Sequence, residues 1–370
     1  MLGSILIFLV VLSILVLAHE AGHFIAAKKA GVKVEEFGFG IPPRLFGIKI
    51  GKTLYSLNLL PFGGFVKLYG ENDEESIGDS KQAFLNKNKR TRISILLSGV
   101  IMNFILAIVA FAVVYSFAGI PKETKNVKIL EIASGSPAQV GGLLVGDIVR
   151  VVDKEKVDSM DKFIDLVEGK KGKKVVLEIE RVRGEEKVNK KFTLYSRENP
   201  PQGEGPLGVT ISSTEIYYPF IVVRPFVGIY YGFKEAVFWG KMVIDGFIKI
   251  FRELFGGHVP QDLSGPVGIF AITSQVSKIG ILALINFIGI LSVNLAILNV
   301  LPFPALDGGR LLFIGLESIF GRKILPKVES AIHTVGMVIL LMLLLAITAR
   351  DIQRLVVAGS IARFIESVLK

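Results

Sequence analysis

The sequence predicts a polytopic α-helical membrane protein with four transmembrane helices and one water-exposed α+β domain. Three observations carry this expectation. Of 370 residues, 51% are hydrophobic and only 21% charged, and the mean hydropathy is +0.56, more apolar than a soluble domain of this size. Four stretches are long and apolar enough to cross a bilayer, which takes about 20 residues. Between the second and third stretch, residues 122–215 alternate polar and apolar residues as strands do, with turn signals between them. There are no cysteines, which excludes a disulfide scaffold, a thiolate metal site and a cysteine nucleophile.

The first span covers residues 1–27 and holds His19, Glu20 and His23 near its end. No basic residue precedes it, and Lys28 and Lys29 follow it, the reverse of a signal peptide. Residues 28–92 form a basic loop with a strand-like run at Tyr55–Leu60, and 93–120 the second span. In the 121–215 domain, Val127–Ile132 and Val175–Glu180 read as strands and Ser134–Pro137 as a turn. Residues 216–278 are amphipathic. Lys234, Lys241, Asp245, Lys249 and Arg252 recur at helical spacing among Phe, Ile, Val, Tyr and Trp239, as in a helix on the outer membrane surface or against the spans. A fifth span through Ile216–Phe233 would put Arg224 and Pro225 into the bilayer core, at a cost in charge burial. The third span and its broken end occupy 279–309, a loop 310–330, the fourth span 331–349 and a C-terminal tail 350–370.

Basic residues orient the spans. The 28–92 loop carries twelve Lys and Arg, and the 310–330 loop carries Arg310, Arg322, Lys323 and Lys327. Both are expected on the cytosolic side, with both termini and the 121–215 domain outside. Arg350, Arg354 and Arg363 run slightly against this rule. The net charge of +10 thus follows topology, and no nucleic-acid partner is expected.

His19-Glu20-Ala21-Gly22-His23 is an H-E-x-x-H sequence inside a span. Residues four apart share a helix face, so both imidazoles can reach one Zn²⁺, and Glu20 can serve as general base toward a water on it. Ionisable groups in lipid are costly and mark function. His19 lies about 27 Å along the helix at 1.5 Å per residue, toward the cytosolic end. A catalytic zinc needs a third ligand. Asp307 is the candidate, in Asn299-Val-Leu-Pro302-Phe-Pro304-Ala-Leu-Asp307-Gly-Gly-Arg310, where two prolines break the helix and the Gly pair adds freedom. His258 is expected in a loop and His333 at a helix end, neither as a ligand. Other divalent metals also suit a His₂Asp set.

With these residues in place, the sequence resembles the site-2 protease family of intramembrane zinc metalloproteases, in its bacterial branch. The resemblance rests on H-E-A-G-H at 19–23, N-V-L-P-F-P-A-L-D-G-G at 299–309, P-F-G-G-F-V-K-L-Y-G-E at 61–71, S-G-P-V-G-I at 264–269 and G-V-I-M-N-F at 99–104. It implies that His19, His23 and Asp307 bind zinc and that Glu20 is the base. Asn299, Pro302 and Pro304 would hold the substrate or shape its cleft. A β-hairpin within Val34–Leu68, with Tyr55 and Asn58, would dip into the membrane from the cytosolic side and grip an unwound substrate by strand addition. Asn299 could equally be a buried residue tying helices together; Asn103, in the second span, reads as structural.

The 121–215 domain resembles a PDZ domain through Ser134-Gly-Ser-Pro-Ala-Gln-Val-Gly-Gly-Leu-Leu-Val-Gly-Asp-Ile-Val, and Pro206-Leu207-Gly208-Val209 resembles its carboxylate-binding loop. It would bind peptide C-termini or act as a size filter that admits trimmed substrates, the filter being the favoured reading. The family implies a bacterial cytoplasmic membrane. The implied partner is a single-pass protein pre-cleaved on the outer side, such as an anti-sigma factor or a remnant signal peptide. The alternatives are a catalytically silent PDZ scaffold anchored in the membrane and a transporter, the latter without the repeated halves many carriers show.

Overall fold

The computed structural model describes residues 2–71, 80–184, 186–257, 265–321 and 326–360. Helix α1 (Leu2–Lys29) is one continuous apolar helix. It stops in a Schellman motif: Gly31 has φ +68, Val32 N–H donates to Ala27 O at 2.9 Å and Gly31 N–H to Lys28 O at 3.1 Å. Strands β1 (Val34–Ile50) and β2 (Thr53–Leu68) follow, joined by a two-residue turn at Gly51, φ +60. Asn88 Oδ1 accepts Thr91 N–H at 2.8 Å and so caps α2 (Lys89–Ala118).

Each hairpin strand bends, and the pair makes a four-stranded layout. Residues 36–39 pair with 54–57 on one side and with 64–67 on the other, while 44–50 pair with 53–58. The 64–68 segment therefore lies at an edge. Residues 41–50 are exposed throughout.

The next unit, Gly119–Pro219, contains β3 (Ile120–Ile132), α3 (Pro137–Val140), β4 (Ile148–Val152), β5 (Glu155–Lys156), α4 (Met160–Glu168), β6 (Lys174–Arg183), β7 (Glu186–Tyr195) and β8 (Val209–Tyr217). The antiparallel sheet runs β7-β6-β4-β3-β8, with β5 paired to β4. Ser136 and Ser159 cap the two helices. Val127, Ile129, Val149, Leu177 and Leu207 fill its core. Asp147 and Arg181 form a buried pair with N–O distances of 2.7 Å. The hydrogen bond to Asp147 holds the Arg181 pKa above its usual value.

The remainder of the chain returns to the first unit with α5 (Arg224–Phe255), α6 (Pro266–Ile279), α7 (Ile281–Val300), α8 (Asp307–Phe320) and α9 (Pro326–Ala358). Helices α1, α2, α7 and α9 are long and apolar enough to cross a membrane. Helix α2 is the hub, packing against α1, α5, α7 and α8.

One expectation changes and another narrows. Residues 310–320, read as loop, are helical in α8, because the Pro302/Pro304 break ends before Asp307 and the chain restarts with Asp307 in a first turn. Helix α5, expected on the outer membrane surface or against the spans, takes the second arrangement and runs alongside α2. Its buried residues are Gly228, Gly232, Ala236 and Gly240. A Cβ on Gly228 would strike Ala112 and Ser116, and one on Gly232 would strike Ile108 and Ala112. Successive turns thus meet successive turns, as small-residue helix seams do in membranes. Tyr115 and Trp239 both donate to Glu235, at 2.9 and 3.0 Å, and lock the seam.

Candidate active site

His19 and His23 lie one turn apart on the buried face of α1. Their height is set by a close crossing with α2. A Cβ on Gly22 would strike Ser98 and Gly99, and one on Gly99 would strike both imidazoles. Asp307 arrives from the other end of the sequence, in the first turn of α8. Gly308 and Gly309 follow it, neither with positive φ. They serve close approach rather than freedom: a Cβ on Gly308 would strike Val300 and Leu301, and one on Gly309 would strike Phe303.

Three candidate ligand atoms converge. Asp307 Oδ2 lies 3.0 Å from His19 Nε2 and 3.1 Å from His23 Nε2, and the two nitrogens are 3.1 Å apart. Tetrahedral zinc with ligands at about 2.0–2.1 Å needs them roughly 3.3 Å apart, so the triangle fits. The protonation pattern agrees. His23 Nδ1 sits 2.8 Å from Ile95 O, which places its proton there and turns the Nε2 lone pair inward. Asp307 Oδ2 is buried without a hydrogen bond among the described residues. Lone pairs facing one another at this distance call for a cation between them.

Asn103 holds the other imidazole. Its Nδ2 stands 3.3 Å from His19 Nδ1, while its Oδ1 is buried without a partner among the described residues. A histidine that ligates through Nε2 carries its proton on Nδ1. Turning the amide over puts Oδ1 against that proton. Ser292 on α7 donates to Asn103 O at 2.8 Å and fixes this stretch of α2. Asn103→Ala is expected to weaken zinc binding about 10–100-fold in competition with a chromophoric chelator. Unchanged affinity would leave Asn103 a packing residue only.

The triangle opens into a cavity of about 550 Å³ lined also by Glu20, Gly64, Phe65, Val66, Glu71, Asn299 and Arg310. Glu20 is adjacent to the edge segment of the hairpin: a Cβ on Gly64 would lie 3.6 Å from Glu20 Cγ. Glu71 accepts Leu68 N–H at 3.3 Å and pairs with Arg310, one turn beyond Asp307. Burial works against the Arg310 charge, but Glu71 beside it outweighs this and holds its pKa above the usual value. A second buried pair, Arg92 with Glu317 at 3.0 Å, ties α8 to α2.

Not every expected residue is in the cleft. Asn299 lines it, whereas Tyr55 and Asn58 do not. Tyr55 packs on Phe24 and Phe37. Asn58 is 4% exposed and spends its amide on Phe39 O and Gly40 O at 3.2 and 3.1 Å, bracing the hairpin's bend. The hairpin segment that reaches the cleft is the later one, 64–68. Pro302 and Pro304 shape the α7–α8 break without lining the cleft; Pro304 faces α9 at an apolar cavity of about 410 Å³.

In the β3–β8 unit, Gly208 (φ +67) and Val209 line a cavity of about 230 Å³, whereas Leu207 is 1% exposed in the core. Gly208 N–H is spent on Gly205 O at 2.9 Å. His258 lies outside the described residues. His333 is far from a ligand role: its Nδ1 accepts Ala305 N–H at 2.9 Å. The roles of Asn103, Gly99 and Arg310 were not anticipated from sequence; the short G-x-x-x-N spacing at 99–103 is the signal that puts the first two on one face.

Comparison with known proteins gives the family. The sequence profile of peptidase family M50 matches residues 7–343. A Clostridium perfringens protein named "Putative zinc metalloprotease" is 36% identical over 345 residues, covering 93% of this chain and 97% of that one. Zinc metalloprotease RasP of Oceanobacillus iheyensis is 28% identical over 432 residues, covering 95% and 99%. A solved PDZ domain of an SdrC-like protein from Listeria monocytogenes covers 24% of this chain and 87% of its own at 23% identity, with a TM-score of 0.20, too low to assign a fold. By the extent of these matches the chain belongs to peptidase family M50, the site-2 protease family, and is a zinc metalloendopeptidase.

Proposed function

We propose that this enzyme cleaves the membrane-spanning segment of single-pass substrate proteins near its cytosolic end. His19, His23 and Asp307 would hold the zinc. The observation that carries the reading is the shared cavity, in which the ligand triangle, the Glu20 carboxylate and a β-strand edge face one space. Bound zinc supplies Lewis-acid chemistry, activating water and polarising the scissile carbonyl.

The chain's own residues do the rest. Glu20 takes the proton of the attacking water and returns it to the leaving amide nitrogen. Proteolysis needs an extended backbone, because a helix hides its amides. Among the described residues the 64–68 edge pairs on one side only, with Val34 and residues 36–39, which leaves its other side for strand addition. Asn299 on α7, which lines the same cavity, would bond the substrate backbone. The exposed apolar stretch 41–50 of the hairpin, with Leu45 61% and Phe46 58% exposed, suits insertion into lipid from the cytosolic side, which the basic 28–92 segment marks. The PDZ-like unit then lies outside the bacterial cytoplasmic membrane. With Gly208 N–H committed inside its loop, a filter for trimmed substrates is the better reading of that unit than capture of a peptide carboxylate.

The test uses the purified full chain in detergent with a model single-span substrate. Zinc-dependent cleavage at a bond near the cytosolic end of the span is expected, lost on chelation and restored by zinc. Cleavage only in the water-exposed part of the substrate would overturn the intramembrane reading. No cleavage, with or without residues 122–215, would favour the scaffold.

A further inference from the structure

The loop that delivers Asp307 is held partly by its own turn, Leu306 N–H donating to Phe303 O at 3.2 Å, and partly from outside. Residues 301–306 separate α7 from α8, and within them Ala305 has φ +80. An L-residue in the left-handed region persists only where its surroundings over-determine it. Here Ala305 is the third residue of that turn, after Pro304, where the type II form takes a positive φ, and α9 braces the turn from outside. His333 Nδ1 accepts the Ala305 N–H at 2.9 Å. Three residues on, Gly336 leaves room for Pro304: a Cβ there would come within 2.8 Å of Pro304 O and 2.9 Å of Pro304 C. Spaced i, i+3, the two residues share a face of α9. They present an acceptor and a notch to a single peptide unit, Pro304–Ala305.

The imidazole is itself oriented. Phe313 on α8 packs against it with ring centroids 5.5 Å apart. Because Nδ1 accepts, the ring proton is on Nε2, which is buried without a hydrogen-bond partner among the described residues, Glu329 Oε1 standing 3.9 Å away. Elsewhere α9 is lightly held. Val335 is 59% and Met337 52% exposed. Near its far end, Asp351 accepts Gly265 and Gly268 N–H at 2.9 and 3.0 Å. Asp307 follows Ala305 by two residues, and its carboxylate must meet two imidazoles at once. A change of φ at Ala305 swings every atom that follows.

We propose that His333 and Gly336 are positioning residues through which α9 sets the aim of the Asp307 carboxylate at the metal, so that the placement of α9 and the affinity for zinc are coupled. This rests on Asp307 being a ligand. A purely structural His333 would affect folding but not metal geometry.

The experiment measures zinc release to a chelator, and the visible spectrum of the cobalt(II)-substituted full chain in detergent. The variants are His333→Leu, His333→Asn, His333→Gln, Gly336→Val and Asp307→Ala. Asparagine keeps an acceptor where Nδ1 stands; glutamine moves it to the place of Nε2. His333→Leu, His333→Gln and Gly336→Val are expected to bind zinc about 10-fold or more weakly, as loss of outer-shell partners does, with an altered cobalt spectrum. His333→Asn should stay near the wild type. If Asn and Gln variants match each other and the wild type in both readouts, the proposal is overturned, even where the Leu variant fails to fold. If Asp307→Ala itself keeps wild-type zinc affinity, the ligand assignment fails instead.

Discussion

Glu20→Gln is expected to slow peptide cleavage by about 10²–10⁴-fold, the range a general base supplies, while the zinc stays bound. The two halves of this result have separate causes. The three convergent ligand atoms come from His19, His23 and Asp307, so removing the Glu20 charge leaves the donor set complete. Glutamine keeps the shape and the hydrogen-bonding reach of glutamate but takes no proton from water at neutral pH. Cleavage of a single-span substrate and zinc content, measured on the same preparations, separate the outcomes. Equal behaviour of variant and wild type would leave the scaffold reading standing. Loss of zinc would make Glu20 a ligand rather than a base.

Gly99→Val should empty the site without touching a ligand. At this position α2 passes so close to α1 that an added Cβ would strike His23 Nε2 and Cε1 and lie 2.8 Å from His19 Cε1. Either the imidazoles leave their shared point or the helices separate, and both outcomes break the triangle. Overpacking of this kind costs about 1–3 kcal/mol of stability, so the variant is expected to fold, melt at a lower temperature and carry almost no zinc. Gly3→Val, where nothing lies within 4 Å, is the control for a glycine replaced in the same pair of membrane helices. Full zinc content in Gly99→Val would show that the crossing yields more readily than its geometry indicates.

How much of this could be read from the chain depended on the range of each signal. His19 and His23 are four apart on an apolar run, and one helical turn suffices to bring them together. Asp307 was legible because Pro302 and Pro304 mark a break, although 284 positions separate it from His23. The strand that borders the cleft was misplaced at Tyr55–Asn58. Alternation is clearest there, whereas Gly63-Gly64 looks like a turn; only the bend of β2, a matter of register over long strands, brings 64–68 to Glu20. The partner of Asn103 lies 84 residues away and that of Ala305 lies 28 residues away, and no local pattern encodes such pairings. Helix α5 carried a readable signal, the four-residue spacing of Gly228, Gly232, Ala236 and Gly240, which its prominent charges obscured.

On the proposed function, the edge at 64–68 would also work as a ruler. Five residues extended along it span about 17 Å at 3.3–3.4 Å each, whereas the same five in a helix rise about 7.5 Å. A substrate that lies down beside it must therefore find about 9 Å of slack from one side of the cut. A helix pinned at both membrane surfaces has none to give. One that has lost its outer anchor can slide toward the cytosolic side and supply the length, so an earlier cut outside the membrane changes the mechanics of the substrate as well as its size.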